Sequence, residues 1–208
     1  RANPVGSLIH LRKYPAVAGL ILSLTFIYIG GNAVQSTWSY YTMKKFGWDP
    51  AMVGYSLAFV GLMIAIVQGG LIRIAIPKLG QTKAVFVGLV LYTLGMVCFA
   101  YAANTYMMFA FCIIYCLGGI AGPALQGIIS SHVPANEQGE LQGALTSLIS
   151  ATAIVGPPLM TNLFSFFSRD GAPFYFPGAP FIAGAFFFLF STVITFRSLQ
   201  AERKATPF

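Results

Sequence analysis

Six apolar runs, each long enough to cross a bilayer, leave this chain few ways to fold. They extend roughly over Pro15–Thr42, Ala51–Ile72, Ala84–Ala103, Tyr106–Ser130, Leu141–Phe166 and Ala179–Phe196. A helix rises about 1.5 Å per residue, so about 20 residues cross a hydrocarbon core of about 30 Å. Inside lipid, every backbone N–H and C=O needs a partner within the protein, which helices and closed barrels alone provide. Barrel strands alternate apolar and polar residues over about ten positions, and these runs do not alternate. The expected fold is all-α: six transmembrane helices in one bundle over residues 14–198, between a leader 1–13 and a tail 199–208. Only 8% of the residues are charged, against about 25% in soluble domains, too few to cover a water-facing surface.

Charge sets the expected orientation. Of the twelve Lys and Arg residues, Arg1, Arg12, Lys13, Arg73, Lys78, Lys83, Arg197, Arg203 and Lys204 fall at one end of the bundle, and Lys44, Lys45 and Arg169 at the other. The positive-inside rule then puts both termini in the cytoplasm. The formal net charge of +7 is read as topology plus attraction to anionic lipid, not as a nucleic-acid surface. The opening residues lack a signal-peptide pattern. Val5, Leu8, Ile9 and Leu11 instead suit a short segment on the membrane surface, with Arg12 and Lys13 at the headgroups. Cys98, Cys112 and Cys116 lie inside the runs without His or carboxylate company, so they read as packing residues and no metal is expected.

Short connections make sequence neighbours pack antiparallel. Asp49 before Pro50 is a helix N-cap followed by a proline at the first helical position. Asn104 offers a second cap, and Asn136 a third, with Glu137 and Glu140 near the positive end of the fifth helix. Gly118, Gly119 and Gly122, and Gly139 with Gly143, have the small-residue spacing that lets helices approach. Pro123, and Pro157 with Pro158 after Gly156, each remove a helical hydrogen bond and should bend or interrupt the fourth and fifth spans. The third and sixth spans carry almost no strongly polar residue at depth and read as lipid-facing.

Polar residues gather on helix faces. Asn32, Gln35, Ser36 and Ser39 are spaced i, i+3, i+4, i+7 in the first span, and Gln142, Thr146 and Ser150 are spaced i, i+4, i+8 in the fifth. Gln68 and Gln126 share faces with Gly61 and Gly122. Polar groups at membrane depth face a bundle interior or a water-filled path, so four such faces point to a shared polar cavity, with interhelical hydrogen bonding as the alternative for any one residue. Asp, Glu, Lys, Arg and His keep to span ends and loops, whereas proton relays are normally built from them at depth. Any proton coupling therefore belongs to residues outside these spans. The sequence shows neither a Ser–His pair at depth nor a His-Glu-x-x-His zinc motif, so an enzyme is not expected, nor is a cofactor.

The run GGIAGPALQGIISSHVPANEQGELQGALTSLISATAIVGPPL, from Gly118 to Leu159, resembles major facilitator superfamily transporters, and within them the tetracycline/proton antiporter group of drug exporters. A GG-x-x-x-PALQ helix, a loop ending in QG-x-LQG and a Ser/Thr-rich helix closing on VGP recur together in that group. FGWDPAMVGYSLA (Phe46–Ala58) resembles the group's second-helix entry, and ANPVGSL (Ala2–Leu8) the end of its central cytoplasmic loop. Such transporters have twelve spans in two halves with substrate held between them near the midplane, each half being two inverted three-helix repeats.

The resemblance implies that residues 1–208 are the C-terminal half, in a bacterial inner membrane. The partners it implies are an N-terminal six-helix half, a drug-like small molecule and membrane lipid. It also puts the first, second, fourth and fifth helices beside the cavity. Two departures stand out. The loop RIAIPKLGQTK keeps Lys78, Gly80 and Lys83 of the family's charged loop signature but has Pro77 at the acidic position and Arg73 at the leading glycine. GLMIAIVQ places Ile64 where tetracycline exporters of the best-known type carry a histidine. The competing reading from a different class is a self-sufficient six-helix channel or carrier acting as a homodimer.

Overall fold

The computed structural model describes residues 15–205. Within them the six expected spans are six long helices: α1 Pro15–Phe46, α2 Pro50–Leu79, α3 Gln81–Tyr101, α4 Thr105–Ser131, α5 Gln138–Ser168 and α6 Ala179–Ala205. Among the described residues every regular element is helical. The amphipathic leader lies outside the described residues, while most of the expected tail is a continuation of α6 through Ala205.

Local chemistry starts and stops these helices much as anticipated. Asp49 accepts the Met52 N–H at 2.7 Å with Pro50 just inside the helix, and Asn104 accepts the Met107 N–H at 2.9 Å. The third cap is corrected. Pro134 initiates a short 3₁₀ turn over Ala135–Glu137 that takes up Asn136, and α5 begins at Gln138 without a side-chain cap. Gln138 itself ties this corner: its Nε2 donates to the Ser130 and Val133 carbonyls, both at 2.7 Å, and its Oε1 accepts from Ser130 Oγ at 2.8 Å. Gly80 alone joins α2 to α3, at φ 79° and ψ 153°, a backbone region essentially restricted to glycine.

Packing follows a repeated pattern. α1 packs on α5 and α6, α4 packs on α3 and α2, and α3 packs on α6 between them. Exchanging the first three helices for the last three reproduces these pairs, and an odd number of spans per repeat turns the second upside down. The core lies along this seam, with Leu24, Leu89, Met96, Phe99, Phe181 and Phe188 buried. α3 and α6 are thus two-faced. Their inner sides are core, and their outer sides expose Val90, Leu94, Phe186 and Leu189. The expectation of lipid-facing helices applies to the outer sides; α2, whose buried residues include Val53 and Ser56, is the least enclosed span.

Glycines act where backbones touch, at partly different positions from those the spacing implied. A Cβ on Gly118 would meet the Tyr92 ring and backbone at 2.7–2.8 Å, one on Gly88 the Ala121 N at 2.7 Å, and one on Gly95 the Tyr115 Cα at 2.8 Å. Gly122, Gly139 and Gly143 instead face open space, with nothing within 4 Å of a Cβ built there.

A hydroxyl cluster fastens α1 to α6. Buried Ser23 Oγ donates to the Ser191 carbonyl at 2.9 Å, and its oxygen lies 2.6 Å from both Ser191 Oγ and Thr195 Oγ1. Ser23→Ala is expected to cost about 0.6–2 kcal/mol, the range for interhelical hydrogen bonds in membranes, measured by thermal unfolding in detergent.

Candidate functional site

The polar cavity is built where two helices, α2 and α4, depart from regular α geometry. α2 is α-helical to Ile66, widens into a π turn over Val67–Leu71, and resumes at Ile72. The π turn holds Gln68, Gly69 and Gly70, and such turns recur at functional sites. α4 tightens into a 3₁₀ turn at Gly118–Ile120. Pro123 explains its position: a proline lacks the N–H that would reach the carbonyl four residues back and its ring presses on that carbonyl. That carbonyl belongs to Gly119. The expected break in the fourth span therefore falls one turn before the proline.

Between α1, α2 and α4 lies a cavity of about 400 Å³. Gln35, Gln68 and Gln126 reach it from those three helices, with Gly122 and Pro123 on its wall. Tyr92 of α3, Tyr115 of α4 and Phe188 of α6 form its inner aromatic side. Tyr92 stacks on Phe188 with centroids 4.8 Å apart and planes 12° apart, and Tyr115 meets Tyr92 at 4.9 Å. Gln126 Nε2 donates to Tyr28 Oη at 2.8 Å, joining α4 to α1 across the cavity. Among the described residues that line it, none is Asp, Glu, Lys, Arg or His. The chemistry on offer is amide and phenol hydrogen bonding beside aromatic faces.

The structure separates the other sequence candidates. Asn32, three residues before Gln35, is buried; its Nδ2 donates to the Tyr28 carbonyl at 2.9 Å and the α5 Thr152 carbonyl at 3.3 Å. It rests on Gly156, where a Cβ would meet its amide at 2.5 Å. Asn32 and Gly156 thus brace α1 against α5 and line no part of the cavity. Ser36 donates to the Asn32 carbonyl, and Ser39 is half-buried away from the cavity.

On α5, Gln142, Thr146 and Ser150 are exposed, and the two hydroxyls donate to the carbonyls four residues back, Gln142 and Thr146, at 2.9 and 3.0 Å. This row faces away from α5's contact with α1 and does not join the glutamines. Pro157 and Pro158 lie inside an uninterrupted α5. Their carbonyls accept from Thr161 Oγ1 at 2.8 Å and Asn162 Nδ2 at 2.7 Å, side-chain bonds of the kind that bend helices.

Asn32→Leu is accordingly expected to cost about 1–2 kcal/mol of bundle stability by removing the hydrogen bond from α1 to the Thr152 carbonyl of α5. Thermal unfolding in detergent measures the loss.

Sequence reasoning missed Tyr28, Tyr92 and Tyr115. Tyr28 had a signal: it precedes Asn32 by four residues and Gln35 by seven, on the stripe already drawn. Tyr92 and Tyr115 had none, because an isolated tyrosine in an apolar run resembles any interfacial or core aromatic. The cysteines are free, and buried Cys116 contributes to the cavity wall while Cys112 packs in the core.

Residues 20–207 match the family model described as Major Facilitator Superfamily. The chain is 33% identical over 163 residues to tetracycline resistance protein class C of Escherichia coli, covering 78% of this chain and 41% of that protein. Identity to the class E protein of Escherichia coli is 37% over 149 residues, covering 72% and 37%. A human protein, Hippocampus abundant transcript-like protein 1, is 23% identical over 93% of this chain and 41% of its own length. The chain spans about two fifths of the length of these relatives. A match over nearly the whole chain, on six apolar helices around a polar cavity, leads to one assignment: this multi-pass membrane chain belongs to the major facilitator superfamily of transporters.

Proposed function

We propose that residues 1–208 are the C-terminal six-helix half of a secondary exporter that moves drug-like small molecules of the tetracycline type out of a bacterial cell. In this reading the chain sits in the inner membrane with both termini cytoplasmic, as the positive-inside rule favours. The observation that carries it is the convergence of Gln35, Gln68 and Gln126 on one cavity, walled by the least enclosed helix of the bundle. Neutral hydrogen-bonding groups beside aromatic faces suit a polycyclic substrate carrying hydroxyls and carbonyls. The open faces of α2 and α5, with Gln142, Thr146 and Ser150 exposed, are where an N-terminal half would close the path. Thr146 and Ser150 then join the substrate route only in the complete transporter. In this reading export against a gradient draws on protons, and because the described cavity residues include no Asp, Glu, Lys, Arg or His, the proton-carrying residues belong to the other half.

The test is reconstitution. In liposomes the six-helix chain alone should give no drug flux driven by a pH gradient, and adding the N-terminal half should restore it. Uphill transport by this chain alone would overturn the half-transporter reading and support a homodimeric carrier.

A further inference from the structure

The outer seam between α3 and α6 carries a groove that the cavity and its proposed transport do not use. At mid-membrane depth it is lined by Val90, Thr93, Leu94, Val97, Leu189 and Thr192, enclosing about 280 Å³. Both hydroxyls are spent within their own helices, Thr93 on the Leu89 carbonyl and Thr192 on the Phe188 carbonyl, each at 2.8 Å. The groove therefore offers hydrocarbon alone. Toward the end of the bundle that holds Arg73, Lys78, Lys83 and Arg197, the seam continues past an edge-on Phe86–Phe196 pair (centroids 6.3 Å apart) into a second hollow of about 120 Å³. That hollow is lined by Thr82, Phe86, Phe196, Leu199 and Gln200.

Two exposed cations lie one helical turn from its lining residues. Lys83 is the i, i+3 neighbour of Phe86 and Arg197 the i, i+3 neighbour of Gln200, and both side chains are exposed. From Thr82 to Val97 the groove runs about 22 Å along α3 at 1.5 Å per residue. One leaflet of a bilayer is about 15 Å of hydrocarbon, so a chain anchored at the basic end reaches the apolar stretch.

We propose that this seam is a binding site for one anionic diacyl phospholipid. Its headgroup phosphate would sit between Lys83 and Arg197, with Thr82 and Gln200 as hydrogen-bonding neighbours, and one acyl chain would pass Phe86–Phe196 to lie along Val90, Leu94 and Leu189. Charge complementarity selects the occupant. A zwitterionic lipid gains the same apolar contact but less from the two cations, and basic pockets between helices at this depth are where acidic headgroups bind. The site is independent of whether the chain transports anything.

The experiment uses the full chain in detergent, titrated with dioleoyl phosphatidylglycerol or dioleoyl phosphatidylcholine, with bound lipid counted by native mass spectrometry. Phosphatidylglycerol is expected to bind about thirtyfold more tightly, from two surface cations at a few-fold each. Lys83→Gln with Arg197→Gln should reduce that preference to within about threefold. Arg73→Gln with Lys78→Gln, which removes the same charge from α2, should leave it. Leu94→Trp, on an exposed face, should fill the groove and weaken both lipids. Equal affinity for the two lipids in the parent chain would overturn the site, as would a preference that survives loss of Lys83 and Arg197 or disappears equally with Arg73 and Lys78. Unchanged binding in Leu94→Trp would remove the acyl chain from the groove and overturn the proposal as drawn.

Discussion

Gly95→Leu is expected to destroy the packing of α3 on α4. A Cβ at this position already meets the Tyr115 Cα at 2.8 Å, its Cβ at 2.9 Å and its N at 3.0 Å, so the obstacle is largely backbone and cannot rotate away. Three further carbons would have to enter the same space. Overpacking a core usually costs about 1–3 kcal/mol, and a contact with helix backbone sits at or above the top of that range. Tyr115 and Tyr92 would move with it, carrying the aromatic wall of the cavity.

The measurement is thermal unfolding in detergent, followed by thiol labelling, since Cys112 and Cys116 are buried until α4 leaves its neighbours. Gly139→Ala and Gly143→Ala supply the contrast. Both positions face open space, and alanine in a helix interior is favoured over glycine by up to about 1 kcal/mol, so neither should lower the melting temperature. If Gly95→Leu melts with the parent chain, the close approach of α3 and α4 is wrong.

The second large effect belongs to function. In the complete transporter, Gln126→Leu should leave stability within about 1 kcal/mol of the parent, the typical size of one interhelical hydrogen bond in a membrane. Efflux per folded molecule should fall at least about tenfold, corresponding to about 1.4 kcal/mol of lost substrate or transition-state interaction. Gln126 is half-buried, lines the cavity and gives one N–H to Tyr28, leaving its carbonyl and second N–H for substrate or water.

Tyr28→Phe separates the two uses of the glutamine. It breaks the Gln126–Tyr28 bond but keeps the amide in the cavity, so its efflux should fall less than that of Gln126→Leu. Melting and efflux measured on the same preparations distinguish the outcomes. Destabilised Gln126→Leu protein with normal efflux per folded molecule would make this residue a brace like Asn32.

The polar residues of the first span show how far the sequence could be read. Their spacing identified one helix face correctly, yet the face is divided by its neighbours. Asn32 meets Gly156 and the Thr152 carbonyl of α5, while Gln35 opens into the cavity with α2 and α4. A periodicity of 3.6 gives direction around one helix axis and says nothing of which other helix stands there. α2 adds a second obstacle. A π turn places an extra residue in the ladder, so each residue beyond it is rotated by about 100° from an α-helical extrapolation. No composition signal in VQGGL distinguishes that turn from an ordinary run of small residues.

The properties legible in the residue order are those that local chemistry decides. Six spans follow from hydrophobic length against bilayer thickness. Caps at Asp49 and Asn104 follow from a side-chain oxygen three residues before an otherwise unpaired N–H. The break in α4 follows from a proline that cannot donate to the carbonyl four residues behind it. The tertiary structure alone decided which glycines touch: Gly118 does as its spacing implied, Gly88 and Gly95 join it, and Gly122, Gly139 and Gly143 make no such contact. It also decided which polar groups meet, Gln35, Gln68 and Gln126 with three tyrosines. Those outcomes depend on the rotation and crossing of helices far apart in the chain. In lipid, where apolar faces are nearly interchangeable, close packing and a few hydrogen bonds set that rotation.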